Sequence, residues 1–188
     1  MDTGLFSALI ISCDTQTREQ VVETLTRFGE GALRFAAESG IRINALGKRD
    51  RYADASASLR RLNIDVDAWP SPPAGLFVVE ERTVYLRSRS AMTVAHEFGH
   101  GLDCALGGGI YHSSVDPQIR SAFTNAKAFV TPYAATGLDE YFAENVRAYV
   151  ECNDTQSFWP KATRARLRTI DPEAYALIHR IFASFAPR

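Results

Sequence analysis

Residues 96–100 read HEFGH, which places two histidines and a glutamate in the pattern HExxH. On a helix, His96 and His100 are one turn apart on the same face, so both imidazoles can bind one metal ion at about 2.0–2.1 Å. Glu97 lies about 100° further round the helix, where its carboxylate can accept a proton from a water that the metal activates. The segment therefore predicts a zinc-dependent hydrolytic centre.

Apolar residues surround this pattern at helical spacing, which indicates a helix that packs inside the fold. They are Val94, Ala95, Phe98, Leu102, Ala105 and Leu106. Burying two histidines and a glutamate without partners costs on the order of several kcal/mol. Chance occurrence of the pattern is the alternative, but the cost of burial favours a metal site.

A catalytic zinc needs a third protein ligand and one open position. The extended pattern HExxHxxGxxH is excluded, because it would require glycine at Asp103 and histidine at Leu106. A carboxylate from a later helix is the remaining common solution. Segment 133–149 is the strongest candidate, since it combines acidic residues with an apolar stripe.

Glu140 and Glu144 are one helical turn apart in that segment. Two like charges at this spacing destabilise a helix by about 0.2–0.5 kcal/mol unless a positive charge lies near them. A zinc ion with two imidazoles would supply that charge, and so would Arg147. The spacing alone leaves both explanations open.

The joint arrangement of HEFGH, Tyr133 and the segment 140–144, EYFAE, resembles the catalytic domain of anthrax toxin lethal factor and its relatives, including the Pro-Pro endopeptidases. The resemblance covers roughly residues 76–150. It implies a zincin fold, one catalytic zinc ion and endopeptidase activity on a protein or peptide substrate.

Carried over residue by residue, the resemblance implies the zinc ligands His96, His100 and Glu140. It also makes Glu97 the general base and Tyr133 a catalytic tyrosine. The Tyr133 phenol would donate to the tetrahedral oxyanion, whereas the alternative is an ordinary loop tyrosine after Pro132. Glu144 becomes a carboxylate that orients a ligand histidine.

Asp103 lies one turn beyond His100, on the face from which its carboxylate can accept a hydrogen bond from a ligand histidine. An exposed carboxylate with no role in the site is the alternative. Segments 67–75 and 107–115 are candidate substrate-binding loops, because such loops shape the subsites of a cleft.

Other functions remain open at this point. A repressor-cleaving regulatory HExxH peptidase would also use a glutamate from a later helix, although its pattern usually has asparagine where Glu144 follows Ala143. A non-catalytic zinc-binding peptide-recognition module and a metal-free structural protein are the further alternatives.

The chain has 188 residues, of which 46% are hydrophobic, and this predicts a single domain spanning residues 1–188. The formal net charge of −1 and the sequence pI near 6.4 provide no basic field for nucleic acid. Arginine-rich segments at 48–51 and 161–168 are most simply solvated faces, with a docking surface for an acidic partner as the alternative. The sequence leaves the oligomeric state open, and the three scattered cysteines predict no disulfide framework.

Residues 5–13 are apolar and end in cysteine, but no basic residue precedes them, so they do not form a complete secretory signal. We expect a first strand or loop there. No segment approaches the about 20 apolar residues of a membrane span. The expected location is therefore cytoplasmic, or outside the cell by a route without a signal peptide.

The remaining pattern predicts an α+β fold in which an amino-terminal helix and a small mixed sheet precede the HExxH helix and a helical carboxyl-terminal half. The first helix should begin at Thr17, with Gln20 completing a capping box, and reach Gly40 with kinks at Gly29 and Gly31. The later elements are a strand at 41–46, a short helix at 56–62, a hairpin of 76–80 with 83–87, and helices at 116–129, 137–151 and 160–185 with a break at 171–172.

Overall fold

The computed structural model describes residues 3–11, 13–157 and 161–186. The elements of the first half are α1 (Thr3–Leu9), α2 (Thr15–Leu25), α3 (Glu30–Glu38), β1 (Arg42–Ala45), α4 (Tyr52–Ala55), α5 (Ala57–Arg61), β2 (Gly75–Val78) and β3 (Thr83–Leu86). Those of the second half are α6 (Ala91–Leu106), α7 (His112–Val115), α8 (Pro117–Asn125), α9 (Leu138–Tyr149), α10 (Arg164–Ile170) and α11 (Pro172–Ser184). Short 3₁₀ turns connect several of them.

The amino-terminal segment is a helix, so the prediction of a strand or loop there was wrong. Leu5 and Leu9 are one turn apart in α1, and both are buried in the core. Just after the helix, Ile10 pairs with β1 through a parallel bridge to Ile43. The apolar run is equally compatible with either structure, and packing selects the helix. Ser12 lies outside the described residues.

The long first helix of the prediction is two helices. The chain leaves the helical path at Gly29, whose φ of 79° is open to glycine at little cost, and α3 starts anew at the next residue. The start is also earlier than predicted, because Asp14 caps α2. Its carboxylate accepts hydrogen bonds from the Thr17 amide at 2.9 Å and the Thr17 hydroxyl at 2.7 Å.

The sheet has the order β1-β3-β2, with β1 parallel and β2 antiparallel to β3. The predicted hairpin and the strand predicted at 41–46 are therefore confirmed. Arg82 adopts the left-handed conformation that turns the chain between β2 and β3. All four residues of β3 are buried, whereas β2 forms one edge of the sheet next to α6.

Helix α6 carries the HExxH pattern through the centre of the molecule. Ser90 caps it by accepting a hydrogen bond from the Thr93 amide, and every residue from 94 to 105 is buried. The helix packs against α9 at a close crossing. A Cβ added at Gly99 would lie 3.0 Å from the Ala143 Cα, so glycine allows the two backbones to approach.

The carboxyl-terminal half is helical, as predicted, and the break between α10 and α11 falls at Asp171. Its carboxylate caps α11 through the Ala174 amide at 2.9 Å and accepts a hydrogen bond from the Tyr141 hydroxyl at 2.6 Å. Pro160, the predicted start of the last helical region, lies outside the described residues. The α+β prediction is confirmed. Within the described ranges, the helices are too short or too polar to cross a membrane.

Candidate metal centre

Three potential ligands converge between α6 and α9. His96 and His100 project from α6, and Glu140 projects from the first turn of α9. The two Nε2 atoms are 3.1 Å apart, and Glu140 Oε2 lies 3.0 Å from that of His96 and 3.4 Å from that of His100. All three ligand atoms lie within 4.8 Å of one another, so the structure brings this predicted ligand set together.

The donor set fits a zinc ion. Glu140 Oε2 is buried and has no partner with hydrogen-bond geometry among the described residues, although both imidazole nitrogens are close to it. Two imidazoles and one carboxylate facing a common point form the three-ligand arrangement of catalytic zinc sites, which keep a fourth position open. The geometry thus leaves a place for one cation.

The charges of the side chains at this site also favour a bound cation. Burial lowers the pKa of His96, but the nearby carboxylates of Glu140 and Glu144 outweigh burial and raise it to about 10. Burial disfavours the charged form of Glu140, but both histidines outweigh it and lower the pKa of that carboxyl below its usual range. Without a metal, a proton on His96 thus supplies the positive charge that the carboxylates require.

Glu97 is buried beside this group, at the floor of a cleft. Burial raises the pKa of its carboxyl, while His96 and His100 act in the opposite direction. The edge strand β2 approaches Glu97 so closely that a Cβ at Gly75 would lie 2.5 Å from Glu97 Cγ. A glycine at the start of β2 therefore makes room for the predicted base.

Tyr133 begins a 3₁₀ turn just before α9, which places it over the same site. Its hydroxyl donates a hydrogen bond to Glu140 Oε1 at 3.0 Å, and its ring lies 5.4 Å from the His96 ring. Burial and the nearby Glu140 raise the pKa of the phenol, so the hydroxyl stays protonated and remains a donor. The side chain also lines the cleft.

Glu144 lies behind His96 in a fully hydrogen-bonded position. Its Oε1 lies 2.9 Å from His96 Nδ1, and Arg147 donates to both carboxylate oxygens at 2.8 Å. Thr131 donates a further hydrogen bond at 2.5 Å. Burial opposes ionisation of Glu144, but His96 and Arg147 outweigh it and lower its pKa to about 2. The two glutamates of α9 thus contact different nitrogens of His96, and Glu144 is the one that pairs with Arg147.

Asp103 is placed differently from the expectation. Its carboxylate accepts hydrogen bonds from the amide of Ser113 at 2.8 Å and from the Ser113 hydroxyl at 2.5 Å, rather than from a histidine. Burial raises the pKa of Asp103 to about 6, although Ser113 opposes the shift. The group is fully buried and anchors the segment that follows α6.

The cleft next to the site has a volume of about 490 Å³. The segment 71–75 forms one wall, so part of the predicted loop 67–75 does border the site. Tyr52, which is buried next to that wall, holds it in place. Its hydroxyl donates a hydrogen bond to the Pro73 carbonyl at 2.8 Å. Tyr52 belongs to no recognisable sequence motif, so it was not identified from the sequence.

No family model and no curated protein sequence matches the chain. Among solved structures, its fold is similar to that of the Pro-Pro endopeptidase PPEP-2 from Paenibacillus alvei, with a TM-score of 0.66 and 16% sequence identity. The match covers 94% of this chain and 99% of that one. At this identity the similarity shows the fold alone, and it supports the expected zincin-like architecture.

Proposed function

We propose that this protein is a zinc-dependent endopeptidase that hydrolyses peptide bonds with Glu97 as general base. The observation that carries the proposal is the convergence of His96, His100 and Glu140 within 4.8 Å beside a buried glutamate in an open cleft. An HExxH pattern without a third ligand would not support it to the same degree.

Zinc bound by the three ligands would polarise a peptide carbonyl and lower the pKa of water in its open position toward about 7. Glu97 accepts the proton of the attacking water and then passes it to the leaving amine. Its enclosure favours this role, because a carboxyl whose pKa is raised by burial is a stronger base than an exposed one. The close backbone at Gly75 holds that side chain in position.

Tyr133 is proposed to stabilise the oxyanion. Its hydroxyl lies 3.0 Å from Glu140 Oε1, at the edge of the ligand set, and remains protonated. Rotation of this half-exposed side chain transfers its hydrogen bond from Glu140 to the oxygen of the substrate carbonyl. Loss of one such donor typically lowers the rate about 10²–10³-fold.

An extended peptide is proposed to bind along β2. Within the described residues, this strand pairs only with β3, so its other edge is free for a substrate strand. The first residue of the strand, Gly75, lies next to Glu97. Pairing with a sheet edge uses the substrate backbone and so suits a peptide rather than a small molecule. Because the structural neighbour is a Pro-Pro endopeptidase, peptides that contain consecutive prolines are the first substrates to test.

The test measures bound zinc together with cleavage of a peptide library. The native protein should bind one zinc per chain and cleave peptides internally. Glu97→Gln should keep zinc and lose cleavage, whereas His96→Ala should lose both. The exposed Glu19→Gln is a matched control that should retain both properties.

The outcomes separate the alternatives. Zinc binding without cleavage of any peptide would favour a non-catalytic recognition module, and cleavage confined to a repressor protein would favour a regulatory peptidase. Absence of zinc binding, with melting unchanged by chelator, would indicate a metal-free structural protein and refute the proposal.

A further inference from the structure

The two histidines of the metal centre differ in what their Nδ1 atoms contact. His96 Nδ1 lies 2.9 Å from Glu144 Oε1, which fixes the orientation of its ring. His100 Nδ1 is buried and has no hydrogen-bond partner within the part of the chain that the structure describes. Because ligand histidines usually donate their second ring nitrogen to an acceptor, another contact must orient His100.

The ring of Tyr111 offers such a contact, in addition to the His96 ring at 4.8 Å. The Tyr111 centroid lies 5.7 Å from that of His100, at an interplanar angle of 50°, and 6.3 Å from the ring of Phe77. Both distances lie within the about 4.5–7 Å at which aromatic rings interact favourably. Tyr111 thus contacts a predicted ligand on one side and the edge strand β2 on the other.

A glycine turn returns the chain to this position after α6. Gly108 and Gly109 have φ values of 68° and 118°, and a Cβ at Gly107 would lie 2.1 Å from the Ile110 carbonyl oxygen. Residues with side chains are strained or excluded at these points. The turn therefore directs Tyr111 back toward the face of α6 that carries the histidines.

Hydrogen bonds then hold the segment after the glycine turn against α6. The carboxylate of Asp103 receives the amide of Ser113 at 2.8 Å and its hydroxyl at 2.5 Å, and both residues are fully buried. Ser113 is two residues after Tyr111, so this link limits the movement of the aromatic ring relative to the helix. Asp103 thereby acts on the site through packing.

We propose that Tyr111 is a positioning residue for His100. Its ring, held by the hydrogen bonds between Asp103 and Ser113, keeps the His100 imidazole directed at the metal position, as Glu144 does for His96 through a hydrogen bond. The proposal rests on the metal site of the proposed function. It requires the aromatic ring of Tyr111 and not its hydroxyl.

The test is zinc affinity, measured by competition with a chromogenic chelator, together with the absorption spectrum of the protein loaded with Co²⁺. Tyr111→Phe keeps the ring and should bind zinc within about twofold of the native protein. Tyr111→Ala should bind about tenfold or more weakly, the range seen when supporting contacts of ligand histidines are lost. Its Co²⁺ spectrum should change, because the His100 imidazole is no longer held at one angle.

Tyr111→Leu serves as a second variant, since it keeps apolar bulk but lacks a flat face, and it should also bind zinc more weakly than Tyr111→Phe. The matched control is Tyr175→Ala, which removes a ring stacked 5.8 Å from that of His179, away from the site. This control should leave zinc affinity and the Co²⁺ spectrum unchanged.

Native zinc affinity and an unchanged Co²⁺ spectrum in Tyr111→Ala or Tyr111→Leu would overturn the positioning role. Failure of the native protein to bind zinc would instead refute the proposed function. The two failures are therefore distinguishable without any measurement of peptide cleavage.

Discussion

Gly75 and Glu97 lie so close that no side chain fits between them. A Cβ at Gly75 would lie 2.5 Å from Glu97 Cγ and 2.9 Å from Cδ. The first residue of the edge strand thus defines the space in which the proposed base sits. The strand that is proposed to bind the peptide and the helix that carries the base share this contact.

The first prediction concerns this contact. Gly75→Ala should displace the Glu97 carboxylate and lower kcat/KM by more than about 10²-fold, since small misplacements of catalytic groups have effects of this size. Zinc affinity should remain native, because Glu97 is not a proposed ligand. Steady-state kinetics and chelator competition measure the two properties.

Gly47→Ala is the control for that experiment. There the nearest atom to an added Cβ is the flexible end of Asp50 at 3.0 Å, so the variant should retain activity. Native activity in Gly75→Ala would show that the contact with Glu97 has no role in catalysis.

The second prediction concerns the crossing of α6 and α9. In Gly99→Ala, the new Cβ would lie 3.0 Å from the Ala143 Cα and 3.3 Å from its Cβ, and a backbone atom cannot move aside as a side chain can. The helices should separate, which moves Glu140 away from the two histidines. Zinc affinity and the melting temperature should both fall.

A compensating variant sharpens the test of that crossing. Ala143→Gly removes one of the three close contacts, that with the Ala143 Cβ, so the double variant Gly99→Ala/Ala143→Gly should recover part of the zinc affinity. Native zinc affinity in Gly99→Ala would contradict the prediction, and a loss that the double variant does not reduce would show that the Ala143 Cβ is not responsible for it.

The third prediction concerns Arg147, which is buried and donates two hydrogen bonds to Glu144. Arg147→Met should destabilise the protein by about 3–5 kcal/mol, because it removes the arginine charge and two hydrogen bonds from a buried carboxylate. Urea unfolding of the metal-free protein measures the effect. The double variant Glu144→Gln/Arg147→Met should be less destabilised than the single one, and equal stability of the two would argue against the buried pair.

The fourth prediction concerns acid stability. The folded-state pKa of Glu144 is about 2, below its usual value of 4.5, so its stabilising effect is complete above about pH 4.5 and is lost as the pH falls toward 2. Unfolding free energies of the metal-free protein should decrease over this range. The decrease should be smaller in Glu144→Gln, and an identical pH dependence in both proteins would contradict the assignment.

Local patterns accounted for much of the fold. The hairpin, the HExxH helix and the helices of the carboxyl-terminal half follow from periodicity and capping residues within short segments. The amino-terminal helix did not, since the apolar run before Ser12 fits a helix or a strand equally well. The helix forms because it is buried against the core, and that packing cannot be read from a local pattern.

For the site, the sequence by itself determined the chemistry of the metal donors. It places the two imidazoles of His96 and His100 on one helix face, and a pair of carboxylates one turn apart on a later helix. Only the tertiary structure decided which glutamate faces both histidines. It also decided that Asp103 binds Ser113 and that Tyr111 lies against His100. Spacing within a helix is local, whereas these partners depend on how α6, α9 and the glycine turn pack together.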